Sequence, residues 1–201
     1  MSDIVTIKKL DIVDTIKDGI SIGTRNIGPI LVNVILWILT VWIPYLNVGT
    51  TIGLMVGIVS KASKDEAISF TEIFNPQYRK YMGEYFLTSG LIGIGVSVGI
   101  FFFVIPGIVI SIAWSLALLL VIDKGKNPTE AITLSNNCTY GNKWRMFGIY
   151  FLVSIAFWIA FLILSFIPVL GPVLIFAGWI FMIFVMIGLQ ASVYKQLTAG
   201  V

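Results

Sequence analysis

The chain has 201 residues, 58% of them hydrophobic and 11% charged, and its mean hydropathy is +0.98. A soluble domain carries roughly 25% charged residues, so this chain has too few polar groups to cover itself in water, and its composition requires lipid as solvent. Thirteen basic and ten acidic residues leave a formal charge of +3; with no histidine and a single cysteine, Cys138, an internal disulfide, a nitrogen–sulfur metal cluster and a cysteine–histidine pair are all excluded.

One dipeptide orders the chain. Ile-Pro recurs as Ile43-Pro44, Ile105-Pro106 and Ile167-Pro168, at intervals of 62 residues. Each copy lies between two apolar runs with no charge nearby. The pattern predicts one all-α integral membrane domain over residues 1–201. Six transmembrane helices form three hairpin repeats, with units of about 1–60, 61–122 and 123–201. Pro44, Pro106, Gly107, Pro168, Gly171 and Pro172 are its expected turn residues. A β-barrel would need alternating segments of about ten residues, and none is present.

In residues 2–25, Ile12, Val13, Ile16 and Ile20 recur at helical spacing while Asp11, Asp14, Lys17 and Asp18 fall largely between them. This predicts an amphipathic helix of about two to three turns, packed on the protein or at the interface and loosened at its end by Gly19 and Gly23. Asn26 to Ile43 is the first apolar run, interrupted by Asn33 and Thr40. It is expected to be retained, because no small-residue cleavage site precedes the next span. Val48 to Ser60 returns. Gly49, Gly53 and Gly57 stand four apart and share a face suited to close helix packing, inside this chain or against another subunit.

Ser63-Lys64-Asp65-Glu66 reads as a capping box, with Ser63 and Glu66 satisfying the first amides of a helix through Ala67, Ile68, Phe70, Ile73 and Phe74. Asn75-Pro76 would stop it. Tyr78, Tyr81, Tyr85 and Phe86 then suit an interfacial aromatic belt. The second hairpin is expected from about Tyr85 to Ile105, turning at Pro106-Gly107 and returning through Ile108 to Ile122. Its Gly93-Ile94-Gly95 lacks the strand and acidic partner of a nucleotide site.

The third polar stretch carries agreeing start signals for a helix: Asn127 as cap, Pro128 in the first turn and Glu130 closing the box. Gly141 is its expected end. A last hairpin follows, from about Met146 to Ile167 and from Val173 to about Val193. Every charged residue lies in the start, the two long connections or the tail. By the positive-inside rule both termini are expected in the cytoplasm, with the polar connections lying on that surface as short amphipathic helices.

The stretch Ile105-Pro106-Gly107-Ile108, Trp114, Asp123, Pro128, Glu130-Ala131-Ile132, Ser135, Gly141 and Trp144 resembles a group of prokaryotic six-helix membrane proteins without assigned activity. It is also similar to the membrane domain of some glycerophosphodiester phosphodiesterases. The resemblance covers about residues 65–195 and implies a multi-pass protein of a prokaryotic plasma membrane. The phosphodiesterase catalytic domain has no counterpart here, so that activity is not implied.

For chemistry, Asp123 and Glu130 are the only carboxylates near a motif, and ending a span and capping a helix account for them. No activating base accompanies Ser135, Thr139 or Ser192. No cofactor, metal or nucleic acid is expected. Ion-coupled transport favours ionisable groups inside spans, and none is read there; Asn33, Thr40, Ser89, Ser97, Ser111, Ser115, Ser154 and Ser165 suit helix–helix hydrogen bonds. Return spans such as Ile108 to Ile122, about 15 residues and roughly 22 Å long, fall short of a hydrocarbon core of about 30 Å and favour association or thinning. The expected role is a non-enzymatic assembly or scaffold subunit among membrane lipid, a homo-oligomer or part of a larger membrane complex. The alternative is a small lipid or peptide transporter or pore.

Overall fold

A computed structural model describes residues 9–200. Residues 2–8 of the N-terminal stretch lie outside the described residues. Every regular element among the described residues is helical. Four stretches are long and apolar enough to cross a membrane: Met82–Phe102, Val104–Lys124, Lys143–Ser165 and Leu170–Leu197. The first two helices count as a fifth if their bent pair is one span.

Helix α1 (Ile12–Arg25) opens on Asp11, whose carboxylate accepts the Asp14 amide at 2.9 Å. α2 (Ile27–Thr40) leaves it at 69°. The cause is local. Pro29 stands four residues after Arg25 and has no N–H to offer that carbonyl, so the helix breaks at Asn26. α3 (Pro44–Ile52), a π-helical turn (Gly53–Gly57) and α4 (Ile58–Ser63) then run on without a break, with helical backbone angles at both junctions.

The next connection departs from expectation. Ser63 ends α4 instead of opening a helix, and its hydroxyl donates to the Ser60 carbonyl at 2.6 Å. The chain leaves α4 through Asp65 at φ 57°, a left-handed angle that Asp tolerates. Glu66 caps nothing; its amide donates back to Lys61 O. Between Glu66 and Phe74 only one 3₁₀ turn forms, Glu72–Phe74. The amphipathic pattern is real, but Asn33 offers this backbone better partners. Its amide donates to Ser69 O at 2.8 Å and its carbonyl accepts the Ile73 amide at 3.0 Å, which fixes the segment against α2.

α5 (Gln77–Lys80) and α6 (Met82–Phe102) follow, then α7 (Val104–Ala113) and α8 (Ala117–Lys124). α7 and α8 are separated by a break at Trp114–Leu116. Ser135 on α9 (Pro128–Thr139) repairs it, donating to Ala113 O at 2.7 Å and accepting the Leu116 amide at 3.2 Å. α9 therefore packs into the bundle, with Ala131, Ser135, Cys138 and Thr139 buried. α10 (Lys143–Ser165) and α11 (Leu170–Leu197) complete the chain, α11 running several residues further at both ends than its apolar core suggests.

The Ile-Pro dipeptides start helices more than they make turns. Pro44 is the first residue of α3, Pro106 and Gly107 sit in the first turn of α7, and Gly171 and Pro172 sit in the first turn of α11. Reversal occurs at Val41–Ile43, at Phe103 and at Phe166–Val169, which includes Pro168. Proline fits there because a first-turn N–H has no helical partner to lose.

α1 is not loosened by its glycines. Gly19 and Gly23 receive α11, and a Cβ on Gly188 would stand 2.0 Å from Gly19 O. Asp18 accepts the Ser192 hydroxyl at 2.7 Å along the same seam. Leu10 is tied across the fold: its amide donates to Asn142 Oδ1 at 2.9 Å and its carbonyl accepts from Arg145 at 2.5 Å. Burial is uneven along the helices. Ile58, Leu120, Met146, Ile149 and Leu189 form a closed core towards the charged end, whereas Phe101, Phe102, Phe166 and Val169 at the apolar junctions are exposed.

Candidate functional site

Two buried carboxylates organise the charged end. Asp123, near the end of α8, has a side chain 3% exposed. Ser60 of α4 donates to its Oδ1 at 2.5 Å, Tyr194 of α11 donates to its Oδ2 at 2.9 Å, and Lys64, just past the end of α4, pairs with it. One carboxylate thus clamps three helices. Ser60 and Lys64 reach it together because residues four apart share a helix face.

Glu72, on the 3₁₀ turn, is 2% exposed. Its Oε2 accepts from Lys61 at 2.8 Å and from the Ser69 amide at 3.3 Å; its Oε1 accepts from the Tyr78 hydroxyl at 2.7 Å and from Asn75 at 3.4 Å. Burial alone would push the Glu72 carboxyl up, but these donors outweigh it and hold the group below the usual carboxylate range. Burial, with Glu72 beside it, pushes the Tyr78 phenol well above its ordinary value. Glu72 therefore stays ionised and Tyr78 stays protonated at neutral pH.

A cleft of about 370 Å³ opens beside the Asp123 clamp, lined by Ser60, Lys61, Lys64, Tyr78, Lys80 and Asp123 among others. Lys80 lies 5.1 Å from the centroid of the Tyr81 ring, a cation–π contact. Glu72 pairs with Lys61 and Asp123 with Lys64. This arrangement locks elements together and keeps each proton in place.

The glycine face of α3 and the π turn is occupied inside the chain, by the connection and not by another span. A Cβ on Gly53 would meet Ile73 backbone at 2.8 Å, one on Gly57 the Tyr78 ring at 2.2 Å, and one on Gly49 the Arg79 side chain at 3.0 Å. Asn127 caps α9 with its side chain accepting the Glu130 amide at 2.9 Å, and Pro128 is the first helical residue. Glu130 also pairs with Lys126 at 2.6 Å. Gly141, at φ 76°, follows the end of α9. Cys138 is buried, and burial pushes its thiol up.

Asp123 was legible as a span terminus, but its partners were not. Lys61 and Lys64 were visible only as charges in a connection. Two signals pointed further: an acid, Glu72, inside the otherwise apolar set Ile68, Phe70, Ile73 and Phe74, and a tyrosine, Tyr194, at the polar end of the last apolar run.

No family model, curated protein or solved structure matched this chain. The site's chemistry therefore rests on its own geometry.

Proposed function

We propose that the chain is a non-enzymatic assembly or scaffold subunit of a prokaryotic plasma membrane. In this reading it crosses six times, with both termini cytoplasmic, and the continuous helical run from α3 through α4 provides the span that composition alone leaves out. Asn47, Thr50 and Thr51 make that run more polar than the others; Thr51 donates to Asn47 and accepts from the Trp37 indole at 2.9 Å, so these groups are satisfied within the first hairpin.

The observation that carries the assembly reading is the uncovered apolar surface at the ends of the hairpins. Phe101, Phe102, Phe103, Phe166, Val169 and Phe176 are all more than two-thirds exposed. Such a surface suits lipid or a second protein. The saturated carboxylates and the buried thiol support a non-enzymatic role. The first test is the mass of the protein in native-like lipid discs, with co-purified proteins identified. A defined homo-oligomer or stable complex is expected; a monomer without a protein partner would overturn the assembly reading. Reaction of single cysteines at residues 43 and 168 with an impermeant thiol reagent in intact cells tests the topology. Both should label from outside.

The alternative, handling of a lipid or peptide, draws support from one further feature: an apolar groove of about 360 Å³ between α2, α4 and α11. A polar track through the spans does not accompany it at Thr40, Ser111, Ser115 and Ser165, whose hydroxyls bond backbone carbonyls three or four residues earlier in the chain.

A further inference from the structure

The apolar groove holds one polar group with nothing to bond. On the α11 side it is lined by Trp179, Met182, Met186 and Gln190. These follow one another at steps of three, four and four, so they share a helix face. Trp37 of α2 and Met55 of the π-helical turn are among the residues opposite, and no charged side chain lines the groove. Met55, Met182 and Met186 are unbranched thioethers, which adapt to a flexible occupant.

Gln190 is half-buried, and its amide makes no hydrogen bond among the described residues. The amide is not sealed in either, because no buried side-chain nitrogen or oxygen lacks a partner. It is the one lining side chain that can accept as well as donate. Trp37 already gives its indole N–H to Thr51 at 2.9 Å, and Trp179, stacked on Phe161, has only a donor. In apolar surroundings an amide without a bond costs about 1–3 kcal/mol, so an occupant that supplies the bond is favoured.

Shape narrows the occupant. From Trp179 to Gln190 the face runs about 16 Å along the helix. Spread over that length, the groove's volume of about 360 Å³ has a section on the order of 20 Å². That is the width of one extended acyl chain, too narrow for two chains or a fused ring system. Beyond Gln190 the packing closes, with Val59, Ser63 and Tyr194 buried. A charged head at this end would meet one amide and no counter-ion.

We infer that the groove binds a single-chain lipid with an uncharged head, its chain lying along α11 and a head hydroxyl or ester carbonyl bonded to the Gln190 amide. A monoacylglycerol has this chemistry. Its orientation follows from the fold: Gln190 stands one turn before Tyr194 at the charged end and Trp179 lies on the apolar half of α11, so the head points towards the charged end and the chain away from it. The inference rests on the lipid-handling reading and not on self-assembly.

The test is native mass spectrometry of the full chain, titrated with monopalmitoleoylglycerol or with lysophosphatidylglycerol of the same chain. Wild type should bind the monoacylglycerol at least about tenfold more tightly, because an anionic head finds no cation in the groove. Gln190→Leu should weaken the monoacylglycerol by about fivefold, the size of one hydrogen bond, and leave the lysolipid as it was. This variant breaks no bond within the described residues, so its melting temperature should match wild type. Met182→Trp should fill the groove and weaken the monoacylglycerol at least about fivefold. Equal binding of the two lipids by wild type, or a monoacylglycerol affinity that Gln190→Leu leaves unchanged, would overturn the inference. Equal binding that Met182→Trp abolishes would still keep the lipid-handling reading, whereas no saturable binding of either lipid would remove both. The same spectra report protein stoichiometry and so read the assembly proposal separately.

Discussion

Glycine serves two opposite purposes in this chain, and substitution separates them. Gly57 faces the Tyr78 ring, which is 2% exposed and held at its hydroxyl by Glu72, so the ring cannot step aside. Gly57→Ala should cost about 1–3 kcal/mol by overpacking. Gly90 and Gly93 on α6 have nothing within 4 Å of an added Cβ. Alanine at either should stabilise by about 0.5–1 kcal/mol through helix propensity. Thermal unfolding in a single detergent reads both signs, and a tolerated Gly57→Ala would show that the connection does not seat on this face. Val169 is the converse case. It sits at φ 66°, ψ −55° in a γ-turn closed by the Leu170 amide on Pro168 O at 2.8 Å, with its side chain 89% exposed. A β-branched residue is strained there, and Val169→Gly should raise stability by about 1 kcal/mol. A lower melting temperature would contradict it.

The two clamps differ in how they fail. Lys64→Met leaves the Asp123 carboxylate buried with two hydroxyl donors, which should cost about 1–3 kcal/mol, towards the lower end because Lys64 is partly exposed. Adding Asp123→Leu should recover part of that loss, since the orphaned charge is the penalty. A double variant worse than the sum of both singles would sink this account. Glu72 gives a pH dependence. Its folded carboxyl lies below its ordinary value of 4.5, so its stabilisation is complete above pH 4.5 and fades as pH falls through the folded value. Melting temperature should drop with acidification below that point, and Glu72→Gln should flatten the curve.

At the level of helices, what could be read from the chain depended on where each signal originates. The α9 start was legible because its chemistry is local: Asn127, Pro128 and Glu130 satisfy the helix's first amides within four residues. Asn127→Ala should therefore cost about 0.5–2 kcal/mol, measurable by the same unfolding assay. The supposed helix after Ser63 had equally good local chemistry, yet Asn33, 36 residues upstream of Ser69, took over the backbone bonds of that stretch. Tertiary partners overrode a local cap. The spacing of Gly49, Gly53 and Gly57 marks a face that another group can approach closely, but a face does not name what covers it. The seam of α1 on α11 was missed for a different reason. Gly19 and Gly23 stand in a polar amphipathic stretch, where small residues suggest looseness, and the complementary Gly188 is far away in sequence. The two buried carboxylate clamps were invisible for the same reason of distance: Asp123 joins residues 63 and 71 positions away.

Seen together, the helices are knitted at one end and open at the other. Around the charged end, Asp123, Glu72 and Asp65 each tie separate segments, and the core is closed. Beyond it, the reversals at Val41–Ile43, Phe103 and Phe166–Val169 carry exposed aromatic and aliphatic side chains. The charged-end core is therefore expected to resist hydrogen exchange, while α6 and the first half of α11 rely on lipid or protein neighbours for protection. Exchange measured in lipid discs and again in detergent should differ most there. Equal protection along α11 in both media would argue against the uneven packing.

The seam between α1 and α11 also sets an order of events during synthesis. Asp18 and Ser192 are 174 residues apart, and Thr15 and Gln196 are 181 apart. At roughly 5–20 residues per second, α1 waits on the order of ten seconds or more after it leaves the ribosome before its partner exists. During that interval its apolar side has no protein to lie against, and its glycines, shaped for a backbone that has not been made, leave it a poor helix by itself. The membrane surface or a chaperone must hold it until translation is nearly over. The first helix among the described residues is thus among the last to reach its place.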